Sequence, residues 1–141
     1  GGGSITSFYT VLVEGDDMND PVADNVRAIL DGHIVLSREL ANSGHFPAID
    51  VLQSISRLKP DITNKTQQDL SRQAVAALNT YQKARDMVEL GAYRAGTNPE
   101  LDRAIELIPE FNKLLQQDRY EKSRLSEGFT TLTSLLGGNH G

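Results

Sequence analysis

The chain has no cysteine and no tryptophan in its 141 residues, and only four tyrosines and four phenylalanines. Without cysteine there are no disulfides and no thiolate metal sites, a composition compatible with a reducing compartment. No cluster of lysine and arginine stands out, and the formal net charge is −5, which argues against a nucleic-acid module. No apolar run approaches the roughly 20 residues of a membrane span, and no signal peptide precedes the first expected strand. A soluble protein is expected. Its three histidines, His33, His45 and His140, do not fall at a ligand spacing. No activated serine is marked.

What is present is a chain of one-domain size with an uneven charge distribution. Residues 1–60 carry four bases and eight acids, whereas residues 61–141 carry ten bases and eleven acids. The acidity belongs to one stretch, where Glu14, Asp16, Asp17, Asp20 and Asp24 come with no base among them. Before it, residues 5–13 are β-branched and aromatic and predict a strand, ending in the continuous apolar Val11-Leu12-Val13 of a parallel sheet. After it, Asp20-Pro21 predicts a helix start with Val22, Val26, Ile29 and Leu30 on one face. His33-Ile34-Val35-Leu36 reads as a strand covered on both faces, although four residues alone do not exclude a helix. The order strand, acidic loop, helix, strand is a βαβ unit with a right-handed crossover. Ser37 suits the cap of a short helix from Arg38 to Asn42, and Gly44 its left-handed exit. Pro47 then holds Phe46 in extended backbone, in a loop that runs on to Arg57.

Pro60 to Asn64 has turn chemistry and marks an internal boundary, giving parts 1–60 and 61–141. Beyond it the apolar period becomes helical. Leu70, Ala74, Ala77, Tyr81, Ala84 and Val88 predict a long helix ended by Gly91. Asn98-Pro99 restarts a helix, Pro109 predicts a kink or a fresh start, and Ser123 is the expected cap of a final helix carrying Leu125, Phe129, Leu132 and Leu136 inward. The fold class is α/β followed by an all-α bundle.

Four stretches carry a family resemblance: GSIT at Gly3 to Thr6, YTVLVEGDDMNDPVAD at Tyr9 to Asp24, DGHIVLSREL at Asp31 to Leu40 and GHFPAIDVLQSISR at Gly44 to Arg57. With them the chain resembles the hexameric ATPases of flagellar and type III protein export, relatives of the F-type ATP synthase catalytic subunit. The F-type subunits are not expected to read GDDMNDP followed by DGHIVLSREL, so the export branch fits better. GAYRAGTNPELDRAI leans toward the flagellar side. The resemblance implies the C-terminal strands of a RecA-like core with a βαβ unit, then a C-terminal helical domain. One departure is large. The family's GxxxxGK[ST] phosphate loop is absent from all 141 residues, and the GGGS at the start has no lysine and no preceding strand. The expectation is therefore the C-terminal part of such an ATPase, inactive by itself.

The resemblance also assigns roles. Arg57 matches the arginine finger that reaches into the neighbouring subunit's site, where a guanidinium neutralises charge on the transferring phosphoryl group. An arbitrary arginine is more often in a surface salt bridge; the SISR context favours the finger. Phe46 matches the aromatic placed against the adenine ring, where tyrosine is the more usual residue, and Tyr120 aligns with a second adenine-pocket aromatic after a one-residue adjustment. Without the resemblance a phenylalanine is more often core. Asp16, Asp17 and Asp20 match a central-pore loop that faces the stalk protein; their local reading is helix capping and a favourable place near a helix N-terminus. A metal site at Asp16-Asp17 lacks a third ligand nearby in sequence, so none is expected. ATP and Mg²⁺ are implied for the intact parent, with a homohexamer, a central stalk, and export chaperones and substrates as partners. Cytoplasmic location follows, peripheral to a membrane export gate at most. The alternative from another class is a non-catalytic interaction module docking on stalk or chaperone proteins.

Overall fold

The computed structural model describes residues 2–13 and 21–137. Helix α1 runs from Pro21 to Ile29, with the proline at its start where a missing N–H costs nothing. Strand β1 is Gly32–Leu36 and the short helix α2 is Arg38–Asn42, capped by Ser37, whose Oγ accepts from the Leu40 N–H at 3.3 Å. Gly44 leaves α2 at φ 77°, the left-handed geometry that favours glycine. Strand β2, Ile49–Ser56, then pairs antiparallel with β1.

That pairing differs from the sequence reading in three places. Residues 44–57 read as a loop, but most of the stretch is β2. Residues 5–13 read as a strand but form no strand here, so the βαβ unit is not closed within the described residues. Leu12 is 95% exposed, and Ile34 of β1, read as covered on both faces, is 66% exposed. The physical reason is shared: a parallel strand is defined by its neighbours, and the described residues supply β1 only with β2.

The helical part follows its local signals closely. One turn, α3 (Lys59–Ile62), leads to α4 (Lys65–Glu89). Asn64 and Gln67 form a reciprocal capping box at the α4 start, and Gly91 exits at φ 68°. Asn98 caps α5 (Pro99–Leu115) by accepting from the Glu100 and Leu101 N–H groups. Pro109 neither breaks α5 nor restarts it; the helix runs through. Helix α6, Leu125–Gly137, is not capped by Ser123, whose Oγ instead accepts from Gln117 Nε2 at 3.0 Å. Glu127 takes that place, its carboxylate accepting from the Arg124 N–H at 2.9 Å. Thr130, Thr131 and Thr133 each donate to the carbonyl four residues back, which satisfies their hydroxyls on the helix itself.

Ala74, Phe111 and Leu136 form the buried centre of α4, α5 and α6, lined by Leu70, Leu78, Leu107 and Leu132. Phe111 is 1% exposed. The sheet is tied to the bundle through Arg85 of α4, which donates to Glu39 of α2 and to Glu89. These carboxylates, Glu89 first, raise the Arg85 pKa further above its already high value.

Candidate functional site

Phe46 stands where α2 ends and β2 has yet to begin. His45, 8% exposed, anchors the turn, and its N–H donates to the Leu40 carbonyl at 2.9 Å. The Phe46–Pro47 peptide is cis, and the Ser37 N–H donates to the Ala48 carbonyl at 2.8 Å. Held from both sides, the turn leaves Phe46 56% exposed. It is therefore a presented ring rather than a core one.

The α5–α6 connection comes to this turn. The Gln117 N–H donates to the Phe46 carbonyl at 2.9 Å, three residues before Tyr120. The loop is internally braced. Asp118 N–H donates to the Glu121 carboxylate at 3.0 Å, and Glu121 N–H returns to the Asp118 carbonyl at 3.0 Å. Gln117 Nε2 adds bonds to the Glu121 carbonyl and Ser123 Oγ. Tyr120 is 85% exposed, and the Arg119 guanidinium lies 5.6 Å from its ring centroid, within cation–π range. A residue 71 positions on thus bonds the backbone of Phe46, a contact that no local sequence signal announces.

Arg57 lies at the other end of β2. Its N–H donates to the Asp31 carbonyl at 2.8 Å. Its guanidinium reaches the C-terminal turn of α1, donating from Nη2 to the Arg27 carbonyl at 3.2 Å and from Nη1 to the Ala28 carbonyl at 3.4 Å. A cation at a helix C-terminus is favourable by about 0.3–1 kcal/mol when exposed, and these bonds are long. The fold therefore holds the Arg57 side chain loosely. The eight residues of β2 extend at most about 26 Å, with Phe46 before one end and Arg57 beyond the other.

Asp16, Asp17 and Asp20 lie outside the described residues. His33 is satisfied by the Gln53 carbonyl, 3.0 Å from Nε2. Among the described residues no group of three or more His, Cys, Asp or Glu is placed to hold a metal ion, and no helix is long and apolar enough to cross a membrane.

Residues 63–134 match the family described as the T3SS EscN ATPase C-terminal domain. The chain belongs to that family. Residues 1–56 match the family model described as the ATP synthase alpha/beta family, nucleotide-binding domain. The flagellum-specific ATP synthase of Bacillus subtilis (strain 168) is 50% identical over 135 residues, 96% of this chain and 31% of that protein. The type 3 secretion system ATPase of Pseudomonas savastanoi pv. phaseolicola is 48% identical over 137 residues, 95% of this chain and 30% of that protein. The chain thus spans about a third of the length of the curated relatives it matches. Among solved structures, the assembled ATPase EscN from the enteropathogenic E. coli type III secretion system superposes with a TM-score of 0.90 at 38% identity, covering 95% of this chain and 32% of that one. EscN in complex with its central stalk EscO gives 0.76 at 34% identity, covering 82% and 29%. A small sheet followed by helices is the fold they share.

Proposed function

We propose that this chain forms the C-terminal part of the subunit of a hexameric ATPase for flagellar or type III protein export. In it, Phe46 and Tyr120 line the adenine side of the subunit's own nucleotide site, and Arg57 serves the site of the next subunit. The observation that carries this reading is the separation along β2. The exposed aromatic and the loop of Tyr120 meet at one end, and a loosely held exposed arginine stands at the other. One subunit can then face two different nucleotides.

Chemically, the aromatic faces stack on adenine without a hydrogen-bond code. The planar guanidinium of Arg57 leaves the α1 carbonyls and donates to oxygens of the transferring phosphoryl group, stabilising charge that grows in the transition state. The phosphate loop belongs to parts of the parent that the 141 residues do not include, since no GxxxxGK[ST] occurs in them. The described residues do not fit a magnesium site. In this reading residues 1–60 continue the nucleotide-binding core and residues 61–141 form the helical domain. Asp16, Asp17 and Asp20 face a central stalk, as suits a relative whose structure includes one, while the helices meet export chaperones and substrates. The protein works in the bacterial cytoplasm, peripheral to the export gate.

The test uses the full-length ATPase carrying this chain. Arg57→Ala should leave nucleotide affinity nearly intact and cut turnover about 10³- to 10⁵-fold. Arg57→Lys should restore little, because a point charge does not reproduce the fork of donors. Phe46→Ala should instead weaken nucleotide affinity by about 1–3 kcal/mol of lost stacking, with less damage to kcat. Arg57→Ala subunits mixed with phosphate-loop-dead subunits should regain turnover at mixed interfaces. If no mixture recovers activity in intact hexamers, Arg57 does not act in trans, and the reading of the chain as a non-catalytic docking module gains in its place.

A further inference from the structure

The ladder between β1 and β2 is broken in a particular way. Gly32 pairs with Ser56 and His33 with Ile55, but Val35 pairs with Asp50 and Leu36 with Ile49. From His33 to Val35 the first strand advances two residues, whereas the second uses five, from 55 back to 50. Three residues are looped out of β2. A regular ladder continued from Val35 and Asp50 would carry Arg57 three residues, about 10 Å, beyond its present place. Because three is odd, it would also turn the side chains beyond the loop to the opposite face.

Two side chains hold that loop closed. Asp50 Oδ1 accepts from the Leu52 and Gln53 N–H groups, each at 3.0 Å, and Oδ2 accepts from Gln53 Nε2 at 2.8 Å. The Ser54 hydroxyl donates to the Asp50 carbonyl at 2.6 Å and accepts from the Val35 N–H at 3.0 Å. A serine oxygen thus replaces the strand carbonyl that Val35 would otherwise use. Immediately beyond the loop come Ile55, Ser56 and the Arg57 N–H bond to Asp31.

We propose that Asp50 and Ser54 are positioning residues for Arg57: their clip sets the register of β2 and so places the guanidinium at the α1 end of the sheet. The proposal rests on the reading of Arg57 as a finger acting in trans. It requires no contact of either residue with nucleotide.

The experiment measures kcat and nucleotide Kd in the full-length hexamer for Ser54→Ala, Ser54→Thr, Asp50→Asn and Arg57→Ala, and for the double variant Ser54→Ala/Arg57→Ala. The expected result is a fall in kcat of about 10- to 100-fold for Ser54→Ala, with Kd within twofold, because a displaced finger loses part of what its deletion loses. Ser54→Thr, which keeps the hydroxyl, should return kcat to within threefold of the parent. The double variant should be no slower than Arg57→Ala alone, since there is no guanidinium left to place. Should Ser54→Ala lose the hexamer, Asp50→Asn is read by the same kcat-against-Kd split, alone and combined with Arg57→Ala. Turnover that collapses in Arg57→Ala but stays within twofold of the parent in both clip variants overturns the positioning role and leaves the finger standing. Losses that multiply in the double variant overturn it too, because the clip would then act on something other than Arg57. Turnover retained in Arg57→Ala overturns the finger itself.

Discussion

Gly32→Ala should disturb the root of the candidate site more than its size suggests. Gly32 sits in β1 opposite Ser56, and an added Cβ would stand 2.5 Å from the Ile55 carbonyl oxygen. That neighbour is strand backbone, which cannot swing aside as a side chain does. Ordinary contact begins at 3.4 Å, so the strands must part by about 0.9 Å. The adjacent bond from the Arg57 N–H to Asp31, now 2.8 Å, would stretch to roughly 3.7 Å, beyond hydrogen-bonding range. Overpacking of this kind costs about 1–3 kcal/mol and a lost backbone bond about 0.5–1.5 kcal/mol, together on the order of 2–4 kcal/mol. Amide hydrogen exchange reads this locally: the Arg57 amide should exchange roughly 30- to 700-fold faster in the variant. Gly91→Ala is the control. Its Cβ meets nothing within 4 Å and its cost is the strain of φ 68° alone, so Arg57 exchange should not change. Protection of the Arg57 amide within threefold of the parent in Gly32→Ala would refute the close-approach argument.

Three further outcomes concern stability. Phe111→Ala removes the most completely buried large side chain among the described residues, 1% exposed at the centre of α4, α5 and α6, and should cost about 3–5 kcal/mol by denaturant or thermal unfolding. Gly128→Ala should stabilise by roughly 0.5–1 kcal/mol in the same measurement, because the glycine lies in α6 with open space around its Cβ position and no positive φ. Asp69, hydrogen-bonded to Lys65 and further favoured by the charges of Lys65 and Arg72, has its pKa held below the ordinary 3.8. Its contribution is present above that value and disappears as pH falls through the lowered one. Asp69→Asn should therefore narrow the difference between melting temperatures at pH 7 and pH 2, and an unchanged difference would refute the pairing.

The helical half was legible residue by residue because its decisive interactions are short-range. Asn98-Pro99 and Gly91 fix the α5 start and the α4 exit within a turn of chain, and Ser37 with Gly44 brackets α2 in the same way. Where several residues compete for one cap, the local reading failed: Ser123 is drawn off by Gln117, and Glu127 caps α6 instead. The family resemblance singles out Arg57, Phe46 and Tyr120 as candidates by residue type, but it carries nothing of their arrangement.

The arrangement belongs to the tertiary structure alone. That residues 49–56 pair antiparallel with β1, across a three-residue loop closed by Asp50 and Ser54, depends on partners thirteen to twenty-four residues away. Strand register is a property of two segments, and neither one carries it by itself. The same holds for the bond from Gln117 to Phe46 and for the two carbonyls of α1 that hold Arg57. Residues 5–13 make the point from the other side: β propensity is present throughout, yet no strand forms, because a strand becomes one only when another pairs with it.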